Sequence, residues 1–202
     1  MKRVVVFDFD KTLTYKDTLL GFFTTVGRER AFFLPKLMFY LFSMVQAKTG
    51  LISNTTLKER GVALFLKNLS AETVAKYAHE YGKKIVFNKL YRRLDFDEKS
   101  LYVVVSASFE EYLKPLFPDF VEVIGSRLAY ENSCVSALKF NCYEKEKVKA
   151  LSEKGIESID LLYTDSFSDY ALAKIAKKIV IVEKDKLTEC KSIEAFREYF
   201  QR

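Results

Sequence analysis

The stretch Val4-Val5-Val6-Phe7-Asp8-Phe9-Asp10-Lys11-Thr12-Leu13-Thr14 decides how the rest of the chain is read. Its β-branched run shows no alternation, the pattern of a strand covered on both faces of a parallel sheet. The run ends in Asp8 and Asp10, two carboxylates one residue apart. An ionised carboxylate inside a core is costly unless a partner offsets it, so this strand end calls for a cation.

Three more runs share the same grammar: Leu101 to Ser108 ("LYVVVSAS"), Ile159 to Ser166 ("IDLLYTDS") and Lys178 to Asp185 ("KIVIVEKD"). They alternate with helical patterns at Glu144 to Glu153 and Ser168 to Lys177, which implies an α/β fold with a doubly wound, mostly parallel sheet. Ligands of such sheets sit beyond the carboxyl ends of the strands, so Asp8, Asp10, Ser106 and Asp165 should converge on one crevice. A hard divalent cation such as Mg²⁺ takes oxygen ligands together with substrate phosphate, and Asp8 and Asp165 can supply them. Ser106 and Lys147, the latter near a helix start, suit the other oxygens of a phosphate. Lys145 and Lys149 share that helix, and a solvated lysine face is the plainer reading of all three.

The interval 15–94 breaks the alternation with helical patterns and no clear strand, and reads as an inserted all-helical cap; 1–14 and 95–202 form the core. In it, 14 Lys and Arg face 5 Asp and Glu over residues 15 to 93, whereas the remainder holds 19 against 22. The whole chain has a net charge of +6, so the basic excess is confined to this segment and suggests an anionic partner there. From Phe32 to Val45, 11 of 14 residues are apolar, and Lys36 and Ser43 fall on one narrow face. Pro35, Lys36 and Lys48 make this too interrupted to span a membrane, which needs about 20 predominantly apolar residues. Burial within the cap and an interfacial patch against a membrane or lipid substrate both remain open.

Of the 202 residues, 49% are hydrophobic, with only 7 Gly and 3 Pro, which excludes a disordered or low-complexity chain. Three cysteines, Cys134, Cys142 and Cys190, fit no zinc or redox spacing; with no secretory leader they suggest a reducing, cytoplasmic setting, peripheral to the inner membrane face if the cap touches lipid. The single histidine, His79, is expected on a helix surface. No nucleic-acid module is visible.

The motifs carry a resemblance. "DFDKT" is similar to the first motif of the haloacid dehalogenase superfamily, "VVVSAS" to its second, "NCYEKEKVKAL" to the lysine-bearing third, and "LLYTDSFSD" to the acidic fourth. The order is that of the family, over Val4 to Asp169. The resemblance implies a Rossmann-like three-layer core, and the helical insertion resembles the branch (subfamily IB) containing phosphoserine phosphatase. It also implies phosphomonoester hydrolysis through an aspartyl-phosphate, with Asp8 as nucleophile and Asp10 as general acid and base. Mg²⁺ would be held by Asp8, Asp165 and the carbonyl of Asp10. Ser106, Ala107 and Lys147 would take the phosphoryl oxygens, Thr12 would help fix Asp10, and Ser166 and Asp169 would support the site, Asp169 by orienting Lys147 or a metal-bound water. Within the cap, Asp17 and Arg60 fall where that branch places substrate contacts.

A second resemblance, to bacterial phosphatidylglycerophosphate phosphatases, rests on the apolar cap helix, "VSAS" and "NCYEKEKV", and implies a lipid-like or amphiphilic phosphate. Lys11 replaces the frequent Gly or Ser, Thr164 the usual Gly, and Ala107 and Ser108 the paired glycines of the serine phosphatases. A small-metabolite phosphatase of the phosphoserine type, a non-catalytic phosphoester or membrane-surface binder, and a mutase are the other expectations the residues admit.

Overall fold

The computed structural model describes residues 2–96 and 99–201. A seven-stranded sheet runs in the order β4-β3-β2-β1-β5-β6-β7. Its strands are β1 (Arg3–Phe7), β2 (Ser100–Phe109), β3 (Glu122–Glu131), β4 (Cys134–Phe140), β5 (Leu161–Thr164), β6 (Ile179–Glu183) and β7 (Lys186–Cys190). The five central strands are parallel, and β4 and β7 close the edges antiparallel. β1 is central and pairs with β2 and β5, so three strand ends expected to carry the site lie side by side.

Alternate residues of a strand face opposite sides. Val5, Phe7 and Val104 join a core with Phe22, Phe23, Phe65 and Tyr112. Val6, Val103 and Val105 join another with Leu151, Leu172 and Phe196. These helices are α1 (Leu19–Gly27), α2 (Phe33–Lys48), α3 (Asn54–Gly61), α4 (Ala71–Gly82), α5 (Lys89–Arg93), α6 (Glu110–Leu113), α7 (Lys145–Ser152), α8 (Tyr170–Ala173) and α9 (Ile193–Phe200). α3 widens into a π turn over Val62–Leu66, and α1 to α5 fill the interval 15–94.

The four expected strands are present, and three strands were not anticipated. β3 and β4 form a hairpin whose turn residues Asn132 and Ser133 both have positive φ (49° and 62°), the backbone a two-residue hairpin turn needs. β6 and β7 are joined through Lys184, also at positive φ. The helix expected over Ser168 to Lys177 is shorter: a single tight turn over Phe167–Asp169 leads into α8.

α2, within the interval 15–94, is apolar on two faces and buries only one. Tyr40 and Ser43 are buried, Tyr40 packing on Phe23 and Phe65 and Ser43 bonding Arg60. Leu34, Met38, Leu41 and Val45, spaced to share one helix face, are exposed, Leu34 and Met38 by 69% and 72%. Phe42 and Phe32 extend the patch. Burial therefore holds for one face of this helix, where Phe33, Tyr40 and Met44 pack on the core, and fails for the other. No helix among the described residues is long and apolar enough to cross a membrane.

Candidate active site

β2 does not run straight into its end. Val105 pairs with Ile124 and Phe109 with Ser126, so residues 106 to 108 bulge out opposite Gly125 alone. A Cβ on Gly125 would lie 2.7 Å from the Ser108 carbonyl, so glycine lets the bulge close against β3. Ser126 Oγ donates to the Ala107 carbonyl at 2.6 Å and Lys58 Nζ donates to the same oxygen. The bulge turns Ser106, Ala107 and Ser108 toward the ends of β1 and β5.

One cavity of about 190 Å³ is lined by Asp8, Asp10, Asp17, Ser106, Ala107, Lys147, Asp165 and Ser166. Eight residues that the sequence singled out thus meet in one place. Lys147, on the first turn of α7, donates to Asp8 Oδ1 at 2.7 Å and to Asp169 Oδ1 at 2.6 Å. It is buried, as are both partners, and neither Lys145 nor Lys149 lines the cavity. Burial alone lowers the Lys147 pKa, but the charges of Asp169 and Asp8 outweigh it and hold the ammonium above the usual lysine range. Asp169 spends its other oxygen on Thr164, whose hydroxyl donates at 2.7 Å. That contact gives Thr164 a task where the family pattern has glycine.

Asp10 is held by three donors. Thr18 N–H and hydroxyl reach Oδ1 at 2.8 and 2.6 Å, and Ser108 Oγ reaches Oδ2 at 2.6 Å. Burial, with Asp17 and Asp8 adding charge, pushes its carboxyl up to about 7 against the opposing bonds from Ser108 and Thr18. A carboxyl poised there can give and take a proton near neutrality. Burial also raises Asp165 to about 8, reinforced by the charge of Asp8 and a hydrogen bond shared with it.

Thr12 differs from expectation. Its hydroxyl lies 3.4 Å from both Asp8 Oδ2 and Asp165 Oδ1 and makes no contact with Asp10, which Thr18 and Ser108 fix instead. Among the described residues no three acidic, histidine or cysteine side chains form a ready metal cluster. Two adjoining carboxylates, one of them pushed up by burial and by the charge of the other, are nevertheless the donor set a hard cation relieves, and the remaining ligands would be carbonyl, water and phosphate oxygens. The residues fit Mg²⁺ on that ground.

Arg60 is the clearest correction. It donates to Ser43 Oγ at 3.0 Å and Gln46 Oε1 at 2.7 Å and lies over the Phe39 ring, away from the cavity. Two residues along a helix are about 200° apart, and Lys58 takes the inward position. Lys58 is buried, donating to Ala107 O, Asn141 Oδ1 and, at 3.0 Å, Ser126 Oγ. Burial lowers its pKa to about 8. Lys58, Thr18 and Asn141 were not singled out from the sequence, and Ser108 only as a replaced glycine; the Lys58–Ala107 and Asp10–Ser108 bonds join residues 49 and 98 apart, which no local spacing announces, whereas Thr18 lies eight residues from Asp10 in a stretch with no motif to mark it.

The profile of the haloacid dehalogenase-like hydrolases matches residues 5–174. The chain belongs to the haloacid dehalogenase-like hydrolase family. Comparison with curated protein sequences yields no match. Among solved structures, a protein of unknown function from Bordetella pertussis Tohama I is similar at 17% identity and a TM-score of 0.75, covering 100% of this chain and 95% of that one. A phosphoserine phosphohydrolase-like protein from Francisella tularensis subsp. tularensis SCHU S4 is similar at 16% identity and 0.62, covering 98% and 99%. A phospho-aspartyl intermediate analogue of phosphoserine phosphatase is similar at 19% and 0.58, again covering 98% and 99%. These likenesses establish that this haloacid dehalogenase-like hydrolase shares the fold of the phosphoserine phosphatases.

Proposed function

We propose that the chain is a Mg²⁺-dependent phosphomonoesterase that works through an aspartyl-phosphate on Asp8, with 15–94 as a cap over the site. The observation that carries this is the buried Asp8–Lys147–Asp169 array beside Asp10 in one cavity. An Asp8 carboxylate oxygen attacks phosphorus as the ester P–O bond breaks, and Asp10 gives its proton to the departing alcohol. Asp10 then takes a proton from water as the water oxygen attacks phosphorus and Asp8 is released. Lys147 and Ser106 hold the phosphoryl oxygens, and Asp169 aims Lys147. Bound at Asp8, Asp165 and the Asp10 carbonyl, Mg²⁺ supplies charge neutralisation between the phosphate and the acids.

Asp8→Asn should fold and lose at least about a thousandfold in phosphomonoester turnover; full activity in that variant sinks the proposal. Adding Mg²⁺ to the wild type should raise the melting temperature, as a ligand of the native state does, and Asp165→Asn should abolish the shift. A shift that survives that substitution would put the metal elsewhere.

The favoured substrate is an amphiphilic or lipid-like phosphate reached at a membrane surface. The outward face of α2 supports this: leaving Leu34, Met38, Leu41 and Val45 in water forgoes about 1.5–3 kcal/mol each compared with burial. No acidic residue occurs between Glu29 and Glu59, whereas Arg30, Lys36 and Lys48 do, besides the inward Lys58, which suits an anionic lipid surface better than a second copy of the same basic face. The wild type should float with vesicles rich in anionic lipid, and Met38→Glu/Leu41→Glu should not, while hydrolysing a soluble phosphoester as before. Absence of vesicle binding by the wild type, or a dimer that the double variant dissolves, would contradict the membrane assignment.

A further inference from the structure

Ser106 and Ala107 line the cavity that holds Asp8 and Lys147, and the peptide joining Ala107 to Ser108 is held from the α3 side. The Ala107 carbonyl accepts two donors, Ser126 Oγ at 2.6 Å and Lys58 Nζ. In a trans peptide the C=O and the next N–H lie in one plane and point in opposite directions. Drawing the carbonyl toward Lys58 and Ser126 therefore aims Ser108 N–H the other way, and it donates to Ser106 Oγ at 3.0 Å. A hydroxyl has one hydrogen and two acceptor positions. With Ser108 N–H on an acceptor position, Ser106 keeps its hydrogen for a phosphoryl oxygen. A flipped peptide would turn the carbonyl toward Ser106 and take that hydrogen.

The setting of Lys58 is closed. An ammonium has three hydrogens to donate, and Lys58 gives them to Ala107 O, Ser126 Oγ and Asn141 Oδ1. Ser126 spends its own hydrogen on Ala107 O and also accepts Cys142 N–H at 3.1 Å. The Asn141 amide donates at 2.9 Å to Thr55 Oγ1, which shares a face of α3 with Lys58. Lys58 is buried, and all three of its acceptors are neutral. An ammonium buried against neutral acceptors returns little stability for its lost hydration, so the arrangement speaks for positioning. Lys58 also borders a cavity of about 180 Å³ beside Asp10, yet no hydrogen on it is left for a substrate group there.

We infer that Lys58 is a positioning residue: it fixes the 107–108 peptide so that Ser106 presents its hydroxyl hydrogen to the phosphate, and α3 thereby completes the phosphoryl grip. The inference deepens the phosphatase reading and rests on it. Because Lys58 acts through Ser106 and not on the departing alcohol, its removal penalises every phosphate ester alike.

Lys58→Met, which keeps the reach of the side chain and loses its donors, should lower kcat/KM about tenfold to a hundredfold, the range for a group that orients a ligand. The loss should be equal for an alkyl phosphate and for nitrophenyl phosphate. Calorimetric binding of inorganic phosphate in Mg²⁺ should weaken about tenfold. Ser106→Ala should lose at least as much, and in that background Lys58→Met should cost about threefold or less, because residues that act as a unit are not additive. A merely structural Lys58 would multiply the two losses. Multiplied losses, unchanged phosphate binding, or a loss confined to one leaving group each overturns the inference. If Lys58→Met does not fold, Ser126→Ala takes its place, since it removes the other donor to the same carbonyl. Its loss must also vanish in the Ser106→Ala background, and a loss that survives there overturns the inference. Phosphate binding needs no chemistry, so the same cycle read on inorganic phosphate separates the two readings. Coupled binding with no turnover of any ester defeats the phosphatase reading alone, and turnover with uncoupled losses defeats the positioning inference alone.

Discussion

Lys147→Met loses both activity and stability. The lysine sits between Asp8 and Asp169, all three nearly without solvent contact. Removing one partner of a buried ion pair costs about 3–5 kcal/mol because the remaining charge is left uncompensated. For a chain of this size that lowers the melting temperature by about 10 °C. Phosphoester turnover should fall by about a hundredfold to a thousandfold, the effect of removing one preorganised charge from a transition state. The double variant Lys147→Met/Asp169→Leu should recover much of the stability and none of the activity, since it removes a stranded acid without restoring the cation. A single variant as stable as the wild type would mean that the array is not the electrostatic unit described.

Asp10→Asn divides the reaction by leaving group. An alkoxide needs a proton to depart, so turnover of an alkyl phosphate should fall by about a hundredfold to ten-thousandfold. Nitrophenolate leaves without one, so with nitrophenyl phosphate the variant should show a rapid burst of product followed by slow turnover, because water attack on the aspartyl-phosphate still lacks its base. In the wild type, Asp10 at about 7 is protonated below that pH and suited to the first step, and ionised above it and suited to the second. Alkyl phosphate turnover should therefore decline on both sides of neutrality, and the Asp10 contribution to that profile should vanish in the variant. Equal losses with both leaving groups and no burst would remove Asp10 from the proton transfers.

Much of the core was legible because the strands carrying chemistry are also the most apolar. Val4 to Asp10, Leu101 to Ser108 and Ile159 to Ser166 each pair an unbroken hydrophobic run with a polar end, and parallel pairing through β1 brings those ends together. The β3–β4 hairpin was not legible, since its turn is Asn132-Ser133 and lacks the Asn-Gly or Asp-Gly pair that marks such turns. The direction of α2 was hidden for a different reason. Periodicity shows which residues share a face, Lys36 with Ser43 and Leu34 with Met38, but not which face finds partners. Arg60 decided that by reaching Ser43 and Gln46, and the same turn of α3 sent Lys58 inward. The β2 bulge opposite Gly125 is tertiary as well, because only the approach of β3 makes a glycine necessary there.

The most direct measurement is to quench the Mg²⁺-loaded wild type in acid during turnover of a phosphate-labelled ester, count the label held on the protein, and locate it in a parallel sample by the homoserine that borohydride reduction leaves in place of the phosphorylated aspartate as phosphate departs. The account predicts alkali-labile, acid-stable phosphate on the peptide containing Asp8, absent from Asp8→Asn and accumulating in Asp10→Asn with nitrophenyl phosphate. Full turnover with no protein-bound phosphate, or label on another residue, would contradict it.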